Sequence, residues 1–153
     1  MTDKQDPKQL TANFRLSEFE RSDTATEHKI DNSVPAALLP NVKRLAEFLQ
    51  ELRDKQGFKR VLISSGYRGD ALNRMVGGVY TSSHSLGLAA DISVPGMTAE
   101  ELFQAVIKSG LQFDQVIQEF GRWVHVGLST GKPRGEKLRA TKNSAGKTVY
   151  TLV

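Results

Sequence analysis

Apolar positions recur at helical spacing most clearly in "PNVKRLAEFLQELRDKQG" (40–57). Val42, Leu45, Leu49 and Leu52 form a stripe there, which Ala46 and Phe48 widen. Pro40 opens the predicted helix and Gly57 closes it. A second amphipathic helix is predicted over "TAEELFQAVIKSG" (98–110), where Thr98 and Glu101 have the spacing of a capping box and Gly110 is the stop. Between these helices the period changes to two. In "KRVLISSGYR" Val61 and Ile63 alternate with Leu62, as in a buried strand that ends at Gly66. In "GLAADISV" (87–94) Leu88, Ala90, Ile92 and Val94 share one face, while Ala89, Asp91 and Ser93 share the other.

The intervening "GDALNRMVGG" reads as a short helix or turn that stops at Gly77 and Gly78. Further on, "DQVIQEFGRWVHVGL" (114–128) reads as a hairpin turning near Gly121, and "KTVYTLV" as a final strand. Residues 1–13 are polar and are expected to be flexible. "FRLSEFERSD" begins the ordered region, anchored by Phe14, Leu16 and Phe19, and "IDNSVP" is a loop. No internal repeat is present. The pattern predicts one α+β domain over 14–153, with helices packed on a small, mainly antiparallel sheet.

Composition narrows the chemistry. A chain of 153 residues, 39% hydrophobic and 25% charged, suits one soluble globular domain with a real core. The absence of cysteine excludes a disulfide framework, a thiolate metal site and a cysteine nucleophile. "MTDKQDPKQL" lacks the apolar stretch of a signal peptide, and no run approaches the roughly 20 apolar residues of a membrane span. The expectation is a protein made in the cytoplasm without an export signal of its own. The net charge of +4 is concentrated in "GKPRGEKLRATKNSAGK" (131–147). That segment reads as a solvated, mobile stretch or as an attractor of a polyanion such as cell-wall polymer. No aromatic residue interleaves with its charges, so no stable nucleic-acid partner is expected.

Two constellations carry candidate chemistry. In "SSHSLGLAAD" (82–91), His84 precedes Asp91 across a link of small residues, and Asp91 sits on the strand face away from the apolar one. In "WVHVG", Val124 and Val126 point to the core, and Trp123 and His125 point to the opposite side. Two imidazoles and one carboxylate are the ligand set of a catalytic zinc that keeps one position open. A lone histidine is more often a hydrogen-bonded structural residue, and an aspartate can cap a turn; spacing alone leaves both readings open. His28, in "ATEHKID", has no matching feature and reads as a surface residue.

"SSHSLGLAAD" also resembles the S-x-H-x-x-G-x-A-x-D signature of the zinc D-Ala-D-Ala carboxypeptidase family, at Ser82, His84, Gly87, Ala89 and Asp91. "LSEFERSDTA", "IDN", "SGYR", "LN", "VGG" and "EFGRWVHVG" extend the resemblance across roughly residues 14–128, and it is strongest to the small single-domain branch common in phages and prophages. The resemblance implies a fold shared with the hedgehog signalling domain and one zinc ion held by His84, Asp91 and His125. It further implies a peptidoglycan stem peptide as substrate, cut as a carboxypeptidase or an endopeptidase, by a protein that is monomeric. Arg68 is implied as a substrate-binding and catalytic residue, Ser82 as a substrate-binding or orienting one, and Trp123 as a lining residue. Asn73 reads as a hydrogen-bonding residue at a helix end. Action on the wall after holin-mediated release, or from a phage particle, fits the same resemblance. A non-catalytic hedgehog-like module that binds zinc or wall peptide is the alternative.

Many relatives carry the general base three residues before the last histidine; here that position is Arg122, which cannot accept a proton. The "EF-x-x-W-x-H" form resembles the pattern of the phage-type branch, and that resemblance implies Glu119 in the role. Strand parity constrains this choice. A two-residue Gly121-Arg122 turn would set Glu119 opposite Val124, on the core face, where an ionised carboxylate is costly. A three-residue Phe120-Gly121-Arg122 loop sets it opposite Trp123, on the face of His125. An odd-length loop or a bulge is therefore predicted.

Overall fold

The stripe of Val42, Leu45, Leu49 and Leu52 becomes the inner face of α3 (Leu39–Gln56), and all four side chains are fully buried in the computed structural model, which describes residues 8–78 and 82–153. Pro40 lies in the first turn of α3, and Gly57 ends it in the left-handed conformation. α5 (Ala99–Lys108) starts with the capping box of Thr98 and Glu101, and buries Leu102, Phe103 and Val106. Both helices pack on one side of a six-stranded sheet.

The strands are β1 (Leu62–Ser65), β2 (Ala89–Ser93), β3 (Gln115–Glu119), β4 (Trp123–Gly127), β5 (Glu136–Lys142) and β6 (Thr148–Leu152). Their spatial order is β1-β2-β4-β3-β5-β6. Every neighbouring pair is antiparallel except β3 with β5. The fold class is thus α+β. Ile63, Ala90, Ile92, Val116, Val124 and Val126 project from the sheet into the same apolar cluster as the stripes of α3 and α5. Period-two alternation leaves Asp91, Ile117, Glu119, Trp123 and His125 on the other face.

The other α-helices are short: α1 (Leu16–Glu20), α2 (Asp23–Glu27) and α4 (Asp70–Met75). Phe14 and Phe19 are buried anchors, as their sequence context predicts. The α2 turn is not evident in the apolar pattern. It is started locally by Ser22, whose hydroxyl accepts a hydrogen bond from the Ala25 N–H.

Three expectations change. β1 is an edge strand rather than a buried one, and Leu62 is exposed on its outer side. The flexible segment expected over 1–13 falls partly outside the described residues (1–7), and its remainder is tied down. Gln9 bridges Arg15, and the Thr11 hydroxyl donates to Gln50 Oε1 at 2.9 Å. The basic stretch 131–147 is not a mobile tail. Leu138 and Ala140 alternate with Lys137 and Arg139, and this alternation forms β5, paired in parallel register to β3. Its apolar side buries Leu138 and Ala140 against Ile117.

The charges of β5 are used internally. Arg139 reaches α5, where Nη2 donates to Glu100 Oε2 at 2.7 Å and Nε to Oε1 at 3.1 Å. The same guanidinium lies 5.3 Å above the Phe103 ring. Gln118 of β3 donates to Glu100 Oε1 at 3.0 Å. One carboxylate therefore clamps β3 and β5 to α5.

Arg139, followed by Gln104 and Gln118, pulls the Glu100 pKa down to about 2 from its ordinary 4.5. A carboxyl whose folded pKa is depressed stabilises the fold above its unfolded pKa and loses that contribution as pH falls through the folded one. Glu100→Gln is expected to lower unfolding stability at neutral pH by about 1 kcal/mol, the scale of an exposed bidentate pair. The difference from wild type should shrink as pH falls from 4.5 toward about 2. Urea denaturation of both proteins across that range measures it.

Candidate functional site

Register places the first two site residues. β2 and β4 pair so that Asp91 lies directly opposite His125. Asp91 Oδ1 stands 3.1 Å from His125 Nδ1 and 3.4 Å from His84 Nε2. One ligand atom from each of the three lies within 4.8 Å of the others. The two imidazole centroids are 5.1 Å apart.

His84 reaches this point from outside the sheet. It sits in a 3-10 turn, Ser83–Leu86, capped by the Ser82 hydroxyl, which accepts the His84 N–H at 3.2 Å. The turn ends at Gly87 with φ of 74°, and a Cβ there would meet Val42 Cγ2 at 2.8 Å, so only glycine lets the chain pass α3 into β2. Behind the imidazole, Nδ1 donates to the Gly66 carbonyl at 2.7 Å. A carbonyl only accepts, so Nδ1 carries the proton and the Nε2 lone pair faces Asp91. A bulge at Ser64 in β1 helps bring the strand end to this position.

The donor set fits zinc. Zinc–nitrogen and zinc–oxygen bonds of about 2.0–2.1 Å in a tetrahedron put neighbouring ligand atoms roughly 3.3–3.4 Å apart. The separations at Asp91 are 3.1 and 3.4 Å. Burial works to raise the Asp91 pKa, but the hydrogen bond from His125 and the nearby His84 imidazole outweigh it and hold the carboxyl well below the ordinary range. Burial also lowers the His84 pKa, which favours the neutral imidazole that a metal requires.

Glu119 ends β3 opposite Trp123, because the hairpin loop holds three residues: Phe120, Gly121 and Arg122. Its carboxylate therefore faces the site, 3.9 Å from His125 Nδ1. The loop forces Phe120 to a φ of 59°, an unusual conformation for a side chain of that size. Neighbours hold it there. The Phe120 N–H donates to the Ala140 carbonyl at 3.0 Å, and its ring meets Trp123 edge-on at 6.2 Å. Burial, then the charge of Asp91, raises the Glu119 pKa; His125, the Trp123 indole and Arg68 oppose this.

Arg68 arrives on the loop after β1. Its N–H donates to the His84 carbonyl at 3.1 Å, and Nη2 donates to the Ser82 hydroxyl at 3.3 Å. Asn32 braces this loop, donating to the Tyr67 and Glu20 carbonyls and accepting the Gly69 N–H. Burial pulls the Arg68 pKa down, and Asp91 and Glu119 push it back up; the guanidinium stays charged. Arg68 Nε and Trp123 Nε1 are buried without a hydrogen-bond partner among the described residues. The Trp123 indole lies near Glu119 but outside hydrogen-bond geometry. Two buried donors thus face a cleft of about 490 Å3.

Every residue picked out from sequence for the site lines this one cleft: His84, Asp91 and His125 with Glu119, Arg68, Ser82 and Trp123. His28 is not part of it and is exposed at the end of α2. Asn73 is buried on α4, and its carbonyl accepts the Gly78 N–H at 2.8 Å. Ile117, Gln115, Arg134 and Tyr150 also line the cleft and are not identified by sequence reasoning, nor is the bracing role of Asn32. Gln115 and Ile117 follow from strand register, and Arg134 is placed by its contact with Asp114. The signal for Tyr150 is the alternation of Leu138 and Ala140, which marks β5 and so brings β6 alongside the site.

Among the described residues no helix is long and apolar enough to cross a membrane. None of the curated proteins compared with the chain matches it. The Peptidase M15 family model matches residues 12–127. That match covers most of the chain and runs from the residues that brace Arg68 to the strand that carries His125, so this chain belongs to the Peptidase M15 family, whose members are zinc metallopeptidases.

Proposed function

We propose that this protein hydrolyses a peptide bond in the stem peptides of bacterial peptidoglycan, with one zinc ion per chain. The observation that carries the reading is the convergence, in a single cleft, of a two-histidine, one-aspartate set with a carboxylate of raised pKa and a partly buried cation. The alternative of a binding module leaves Glu119, partly buried beside the ligands, without a purpose.

His84, Asp91 and His125 would hold the ion. Zinc bound there supplies an acidified water and an electrophile for the scissile carbonyl. Glu119 takes a proton from the attacking water and delivers it to the leaving amine as the C–N bond breaks. Its partly buried position favours this exchange, because a raised pKa brings the carboxyl closer to neutral pH. Arg68 binds a carboxylate of the stem peptide, its Nε–H having no hydrogen-bond partner among the described residues. That contact holds the scissile bond against Glu119. Ser82 keeps the guanidinium in place and caps the turn that carries His84. The Trp123 indole N–H offers a further donor to the peptide backbone.

Two measurements test this reading. Zinc at about 100 times its Kd is expected to stabilise the metal-free protein by about 2.7 kcal/mol, read as a rise in melting temperature. Asp91→Ala is expected to abolish both that rise and zinc binding by calorimetry. With purified peptidoglycan, the zinc-loaded protein is expected to release amino groups, and a chelator should stop it. Glu119→Gln should cut turnover by about 10²–10⁴-fold while zinc affinity is kept. Mass spectrometry of the muropeptide products identifies the bond: D-Ala-D-Ala, a cross-link, or L-Ala-D-Glu. Failure to cut any muropeptide would overturn the proposal.

A further inference from the structure

The β5–β6 hairpin lies beyond the residues that the family model matches, yet it contributes Tyr150 to the lining of the cleft. The parallel register of β3 and β5 pairs Glu119 with Ala140, and the antiparallel register of β5 and β6 pairs Ala140 with Tyr150. Trp123, Glu119, Ala140 and Tyr150 therefore stand in one row across four strands, on the site face of the sheet. Strands are spaced about 4.8 Å apart, so the Tyr150 backbone lies roughly 10 Å from that of Glu119. The residue between them is an alanine and is fully buried. Ala140 packs with Ile117, Leu138 and Phe120, while the phenol and the carboxylate on either side of it line the same cleft, and the Glu119 charge is felt at Tyr150.

The geometry points to Tyr150 as a specificity-determining residue that contacts the bound peptide on the far side of Glu119 from the metal ligands. The inference rests on the peptidase reading given above and extends it: the peptide continues past the scissile bond across β3 and β5, so the preferred substrate has residues on both sides of that bond.

Two further observations support the assignment. β6 contributes little to the core, since Val149 and Leu152 are both exposed. The hairpin is nevertheless held firmly. Arg139 is clamped to Glu100, and Arg134, just before β5, makes a two-pronged contact with Asp114 at 3.1 and 2.9 Å. A strand that buries almost nothing, on a support this firm, serves to present a side chain. Tyr150 is 56% exposed and is the β6 residue that lines the cleft. Its aromatic face and hydroxyl match a peptide backbone, which offers apolar Cα–H surface and carbonyl acceptors in alternation. The hydroxyl keeps its proton, because burial and then Glu119 raise its pKa.

The test compares wild type with Tyr150→Ala, Tyr150→Phe and Val149→Ser, the last being a control on the opposite face of the same strand. Two zinc-dependent substrates are used: a disaccharide-linked stem peptide, and a peptide truncated close to the bond that wild type cuts. Tyr150→Ala is expected to lower the ratio of kcat/KM for the long over the short substrate about tenfold, mainly through KM, as one lost aromatic and hydrogen-bond contact implies. Tyr150→Phe should recover part of this loss. Calorimetric binding of the long peptide in the Glu119→Gln background should weaken by the same factor when Tyr150→Ala is added, with zinc affinity and melting temperature unchanged. An unchanged ratio and an unchanged Kd would overturn the inference while leaving the peptidase reading intact. If wild type neither cuts nor binds any stem peptide, the peptidase reading fails and takes this inference with it.

Discussion

Asp91 stands between two imidazoles because of a register, and most of the site follows from that alignment. β2 pairs with β4 so that Asp91 and His125 are directly opposed. A slip of one residue would exchange the two faces of β2 and turn the carboxylate into the apolar cluster of Ile92, Val124 and Val126. Burying an unpaired carboxylate there would cost far more than the fold's net stability tolerates. The apolar face thus enforces the geometry of the polar one. Ile92 and Ala90 are packed under α3 and α5, so their neighbour Asp91 has a fixed address on the other side.

The same logic extends along the sheet. Trp123 and Glu119 share a row because a three-residue loop sets hairpin parity. Loops from the sheet's β1 end then add groups that the strands do not supply. His84 arrives on a capped turn, and Arg68 on a loop braced by Asn32. Each group is held by a backbone contact made by a different element. The site is therefore rigid before any ligand arrives, which is the arrangement that favours pre-formed electrostatic stabilisation.

Much of this is legible in the sequence because burial imposes periodicity. The alternation in "WVHVG" separates His125 from Val124 and Val126, and that in "GLAADISV" separates Asp91 from Ile92. The stripe in α3 and the capping box of α5 are equally explicit. β5 is harder to read. One side carries Lys137 and Arg139, and its apolar side has only Leu138 and Ala140, so charge density masks a short alternation. The partners of those charges, Glu100 and the Phe103 ring, lie far away in sequence. Asn32 is hidden for a similar reason: it braces Tyr67 and Gly69 across more than thirty positions, and no local pattern announces such a contact. Tyr150 becomes visible only once both registers beside β5 are known.

Phe120 carries a further implication for any attempt to make this protein hardier. Its left-handed backbone would be relaxed by glycine, at a gain on the order of 1 kcal/mol. Glycine would also delete the ring that braces Trp123 and lies under the Lys142 ammonium. The ring also packs on Ile117, Leu138 and Ala140, so its loss offsets the backbone gain. The strained loop is thus held in place by the same contacts that put an aromatic wall beside the cleft.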